Sequence, residues 1–196
     1  MGTRPPVFTD IHVDTDTLST VGTTSGITMT QTGSGNVVTV VIDLDGVLVT
    51  MTDGTTNGSI GSVKLFDMPA GVNAYIAAQS DFLNGTTPSG AAYGLARTGS
   101  GISATATLKH SVGTAAEATD DTLNSTQANI IASTSVTLAS GAGTVRGTSS
   151  APIAALDQTS GGAVYLNFGV ADAGSTGNDV VRVRGRVTVS FITLGA

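Results

Sequence analysis

The sequence predicts an all-β protein, an antiparallel β-sandwich of jelly-roll type, and three observations carry that expectation. First, the chain of 196 residues has a single Glu (Glu117), two Lys (Lys64 and Lys109) and 26 Gly. Exposed helix faces are normally built from Glu, Lys, Gln and Arg, so this composition leaves little material for exposed helix. Second, Thr and Val, which suit a pleated half-buried surface, abound, and Gly, Ser and Asn punctuate them as turn residues. Third, residues 179–194 alternate strictly. Val181, Val183, Val187, Val189 and Phe191 share one parity with Gly185, while Arg182, Arg184, Arg186, Thr188 and Ser190 share the other. Period two marks a strand with one face on a core and the other turned outward. At ~3.3 Å per residue the run exceeds 40 Å, so a bend is expected at Gly185 or near Ile192, where the parity breaks.

The elements follow in order. Residues 1–24 read as an extended arm: Pro5-Pro6 impose polyproline-like geometry, and Asp10, Asp14 and Asp16 interrupt the apolar anchors Val7, Phe8, Ile11 and Val13. Residues 25–196 read as the sandwich domain. A first strand is expected at 27–31. Then Val38, Val40, Ile42 and Leu44 on one parity and Val47, Val49 and Met51 on the other predict a hairpin turning at Asp45-Gly46, the dipeptide a type I′ turn favours. Further strands are expected at 62–68, 102–108, 135–139 and 164–170, with 72–78 either strand or helical turn. Residues 84–101 and 140–162 read as long connections, and 120–131 as the one short helix, with Ser125 as a possible cap. That makes nine or ten strands with no strand-helix alternation.

The formal charge of −6 disfavours a general nucleic-acid binder. Zero Cys excludes disulfides and thiolate metal sites. The N-terminus lacks the apolar core of a secretory signal, no stretch approaches membrane-spanning length, and Pro6 stands where a myristoylation motif needs Ser or Thr. No nucleic-acid partner, membrane or cofactor is expected.

One stretch suggests an enzyme. The run 39–49, with Asp43-Leu-Asp45-Gly46, resembles motif I of the haloacid-dehalogenase phosphotransferases. There the first Asp is the nucleophile, the second the acid/base, and Mg²⁺ sits between them. That core is a doubly wound sheet with crossover helices this composition does not supply. The hairpin tip explains the same letters together with the pairing of the flanking side chains, and is preferred. His12 and His110 have no Cys or Glu cluster to join in a zinc site. Asp10, Asp14 and Asp16 lack the closing Glu of a calcium loop. The many Ser residues have no nucleophile elbow. No catalytic or metal residue is therefore assigned.

Arg182, Arg184 and Arg186 place three like charges on one strand face. They are expected either to meet acids within the chain or to form a docking strip for an acidic surface. The phrase 120–134 (DDTLNSTQANIIAST) and the ending from Ala163-Val-Tyr-Leu-Asn-Phe to Gly185-Arg-Val-Thr-Val-Ser-Phe-Ile-Thr-Leu-Gly195 resemble structural proteins of tailed bacteriophages. The resemblance implies a capsid decoration or cement protein, typically a homotrimer. Such a protein is made in the host cytoplasm, sits on the outer surface of the major capsid protein lattice and reaches across subunit boundaries with its arm. The interface residues expected on that basis are Arg4, Pro5, Pro6, Val7, Phe8, Arg182, Arg184 and Arg186. The alternative of like fold is a tail-fibre or adhesin-like module, for which 4% aromatics and no Trp are a poor endowment.

Overall fold

The computed structural model describes residues 26–34, 37–54, 58–68, 71–84, 94–117, 120–138, 143–148, 154–158 and 162–193. Eleven strands run through them: β1 (Ile27–Ser34), β2 (Val37–Asp53), β3 (Ser59–Met68), β4 (Gly71–Asn84), β5 (Gly94–Arg97), β6 (Thr107–Gly113), β7 (Ile131–Thr137), β8 (Gly143–Thr148), β9 (Ala154–Gln158), β10 (Gly162–Val170) and β11 (Asp179–Thr193). Every pairing is antiparallel. One layer has the order β2-β11-β4-β8, with β1 added to β2, β5 to β11 and β9 to β4; the other has the order β3-β10-β6-β7. The layers join where Thr52 and Asp53 pair with Ile60 and Ser59, and on the opposite side β7 lies beside β8. The chain thus wraps back and forth between two four-stranded sheets in the jelly-roll manner, nearly closing on itself.

β11 is the spine, paired with β2 on one side and with β4 and β5 on the other. Its predicted inward residues, Val181, Val183, Val187, Val189 and Phe191, are all fully buried. At roughly 1.5–3 kcal/mol per buried side chain, this one strand supplies a large part of the hydrophobic driving force. Gly185 does mark the irregular point. Its φ is +151°, and a Cβ there would lie 2.3 Å from the Asp81 carbonyl oxygen, so the sheet passes this position only with glycine. Near Ile192 the strand itself runs on to Thr193, but its register with β4 slips between Ser190 and Phe191.

The expected hairpin is not formed. Residues 37–53 are one continuous strand of 17 residues along β11. Between Arg184↔Asp45 and Val183↔Val47 the register shifts, leaving Gly46 as an extra residue at φ +77°. That is a β-bulge. One inserted residue reverses side-chain parity as a two-residue turn does, so Val38, Val40, Ile42, Leu44, Val47, Val49 and Met51 all face the core. The bulge prevails because β11 offers an unbroken partner for both halves. β3 repeats the device: the register slips past Leu65, and Val63, Leu65, Phe66 and Met68 are all buried.

Other departures have local causes. Residues 102–106 are not strand: Ile102 makes an isolated bridge to Ser175, and Ser103 accepts hydrogen bonds from the Ala106 amide at its carbonyl and from the Thr105 amide at its hydroxyl. The helix expected over 120–131 reduces to a 3₁₀ turn at Ser125–Gln127, preceded by Asn124, with Ser125 inside it at φ +49° instead of capping it. The stretches 84–101 and 140–162, read as connections, contain β5, β8 and β9. The arm 1–24 lies outside the described residues.

Candidate functional site

The singled-out charges lie on the outer face of the β2-β11-β4-β8 sheet, where Arg184 and Arg186 of β11 each meet an aspartate of β2 in register and Arg182 lies opposite Leu48. Arg186 is paired with Asp43, and its Nε donates to Asp43 Oδ1 at 2.7 Å. Arg184 is paired with Asp45, with Nε 3.1 Å from Oδ1, an ion pair without hydrogen-bond alignment. The hydrogen bond that Arg186 donates to Asp43, then the charge of Asp43, raises the Arg186 pKa above the ordinary value. On the other flank Asp81 of β4 is the in-register neighbour of Arg186 and accepts from Gln79 Nε2. For Arg184 and Arg186 the structure supplies intrachain acids. Such solvent-exposed pairs set side-chain alignment more than they stabilise.

The same geometry bears on the phosphotransferase-like motif. Asp43 and Asp45 sit mid-strand beside a bulge, held by arginines, in an antiparallel sheet. They do not stand at the end of a parallel strand facing a crossover helix. Among the described residues no group of three or more His, Asp or Glu side chains is placed to hold a metal ion.

His110 is a core residue. β6 carries it between the sheets, where Nε2 lies 3.0 Å from Ser80 Oγ of β4 and the ring meets Phe82 edge-on with centroids 4.9 Å apart. Its Nδ1 is buried without a partner, and burial lowers its pKa to about 4. His12, Arg4, Pro5, Pro6, Val7 and Phe8 lie outside the described residues.

Sequence reasoning missed the polar network that holds segment 114–130 against the outer face of the other sheet. Its hub is Asn167 of β10, fully buried on the parity opposite its apolar neighbours. Oδ1 accepts from Ser62 Oγ (2.7 Å) and the Glu117 amide (3.0 Å); Nδ2 donates to the carbonyls of Ala115 (3.0 Å) and Gln127 (2.9 Å). Ser111 Oγ also donates to Gln127 O, and Lys109 Nζ reaches Asp121 Oδ2 at 2.6 Å. Gly113 and Gly169 let the segment lie flat, since a Cβ on either would run into its backbone. Asp120 is held below the usual carboxylate range by the Thr122 hydroxyl and amide. The available signal was Asn167 itself, a polar amide between Leu166 and Phe168 in an apolar strand.

Because all four hydrogen-bonding positions of the Asn167 amide are used, truncation leaves several buried groups unpaired. Asn167→Ala is expected to cost about 2 kcal/mol and to open segment 114–130 to protease. Thermal melts with limited proteolysis check this; an unchanged midpoint and digestion pattern contradicts it.

A second unforeseen carboxylate, Asp179, is buried at the start of β11. It accepts from the amides of Gly99 (2.7 Å), Ile102 (2.9 Å) and Val180 (2.7 Å), fixing the 98–102 loop over the end of the sandwich. Nearby, Asn178 Oδ1 accepts from the Asp53 amide at 2.8 Å, and Ser175 Oγ donates to Asp53. The described polar side chains with assigned partners thus serve to hold loops and strands in place. Compared with known proteins, the chain matches no family model, no curated protein and no solved structure.

Proposed function

We propose that the chain is a structural protein of a tailed-phage virion, a decoration or cement protein that binds the outer surface of the capsid lattice and stabilises the shell. One observation carries the reading. The polar groups on which chemistry would depend, Asp43, Asp45, His110, Asn167 and Asp179, are engaged in ion pairs, strand register and loop anchoring in a rigid β-sandwich. A block of this kind acts by adding buried interface, which shifts the assembled state by mass action without a covalent step. The sequence resemblance in 120–134 and 163–195 points the same way.

A carbohydrate-binding fibre module is less well supported. Among the described residues the exposed large apolar side chains are Val37 and Leu48, and neither supplies an aromatic platform. The test is co-sedimentation with empty capsids of the phage that encodes the chain. Saturable binding at a fixed ratio to the major capsid protein, with a raised melting temperature of the shell, is expected. Protein that stays in the supernatant at every ratio would overturn the reading.

A further inference from the structure

The two sheets differ in what lies over them. Residues 114–117 and 120–130 lie on the outer face of β3, β10 and β6, whereas the outer face of β2-β11-β4 carries the two exposed large apolar side chains among the described residues, Val37 (42% exposed) and Leu48 (36%). Opposite charges lie side by side on that face: Arg184 stands against Asp45, and Arg186 between Asp43 and Asp81. The columns also alternate in sign, with aspartate on β4, arginine on β11 and aspartate on β2.

The geometry points to this face as a two-fold docking surface for a second copy of the same chain. Consider an axis lying in the contact plane, parallel to the strands and midway between β2 and β11. Rotation about it exchanges the two strands, so each outward residue of β11 faces the second copy's counterpart of its own in-sheet neighbour. In-sheet pairing joins Arg186 to Asp43, Arg184 to Asp45, and Ile192 to Val37. Across the axis, therefore, Arg186 lies over Asp43 and Arg184 over Asp45, while Arg182 lies over Leu48 and Ile192 over Val37. Any axis centred on β11 itself would stack arginine on arginine, so charge complementarity selects the one between the strands.

The area suffices. β2, β11 and β4, of 17, 15 and 14 residues, at ~3.3 Å per residue and ~4.8 Å apart present roughly 700 Å² per copy, about 1,400 Å² for the pair, within the range of stable interfaces. A two-fold pair replaces the three-fold assembly that the resemblance implies. The inference is independent of capsid binding: a chain that pairs with itself and ignores capsids keeps this inference and loses the decoration reading.

Analytical ultracentrifugation of the full chain tests it. A two-copy mass is expected at about 10 µM. Val37→Lys, at a position exposed in the single copy, is expected to weaken pairing by at least about tenfold while leaving the far-ultraviolet circular dichroism of the folded chain unchanged. Arg184→Asp with Arg186→Asp leaves only acids at those two β2–β11 pairs, and Asp43→Arg with Asp45→Arg leaves only bases there. Each is expected to sediment as a single copy alone and as a pair when the two are mixed. Restoration on mixing separates contact between copies from the in-sheet pairs, which mixing does not repair. A wild-type single copy at about 100 µM, a trimer, or a pair indifferent to Val37→Lys would overturn the inference. So would two folded charge variants that stay apart when mixed; if they fail to fold, Val37→Lys alone decides.

Discussion

Deleting Gly46 is expected to unfold the protein. β2 keeps seven side chains on the core because the extra residue at position 46 reverses the parity between Leu44 and Val47. Without it, either Val47, Val49 and Met51 turn to solvent while Leu48, Thr50 and Thr52 turn inward, or the strand detaches from β11. Three core side chains at roughly 1.5–3 kcal/mol each amount to about 5–9 kcal/mol, comparable to the whole stability of an ordinary domain. Substitution at the same position is far milder. A Cβ on Gly46 would meet only the Arg184 side chain, at 3.6 Å, so its cost is that of the positive φ alone. Gly46→Asn, which tolerates the left-handed region, is expected to cost at most about 1 kcal/mol, and Gly46→Val more. Circular dichroism and thermal melts of the three variants check the order. A folded deletion variant with a near-native midpoint contradicts it.

The second large effect is an acid lability set by His110. The folded-state pKa of about 4 lies below the ordinary histidine value of 6.5, so on acidification the unfolded chain takes up a proton before the native one does. Stability is therefore greatest above about 6.5, falls as pH drops from there towards 4, and levels off for this group below 4. The full difference corresponds to about 3 kcal/mol. The cause is physical: the imidazole is buried between the sheets against Phe82 and Ser80, with no acid among its described partners to stabilise the imidazolium. Asp120 titrates below the usual carboxylate range, so its contribution falls at the acid end of this window or beyond. His110→Leu is expected to be less stable than wild type at pH 7, where Ser80 loses a partner, and to lose much less stability between pH 7 and 4.5. Denaturant melts at the two pH values provide the comparison, and equal losses in both proteins contradict the assignment.

How far the sequence could be read depended on how local each cause was. The alternation of 179–194 identified β11 and its buried face because parity is a property of the strand itself. The scarcity of Glu and Lys identified the all-β class for a similar reason, since helix surfaces need those residues wherever they lie. Asp45-Gly46 misled because a hairpin and a bulge produce the same parity change. Only the partner strand distinguishes them, and that partner lies more than a hundred residues downstream. Ile102 to Leu108 alternates as a strand would, yet the Asp179 carboxylate captures the Ile102 amide at 2.9 Å and turns 102–106 into a loop. Asn167 was visible only as a misplaced amide; its four partners come from three separate stretches of chain. The arginine row was noticed, but its answer in Asp43 and Asp45 required the β2–β11 register, which likewise underlies the two-fold pairing proposed for the open face.

Everything from the spine of the sandwich to the charge pairing on its outer face thus rests on β2 being one continuous strand along β11. Cross-strand nuclear Overhauser contacts of Val49 test that most directly. The continuous strand places Val49 opposite Val181, and Val40 opposite Val189. Backbone contacts between Val49 and Val181 are the predicted result; contacts between Val49 and Ile42, as a hairpin at Asp45-Gly46 would make, would contradict it.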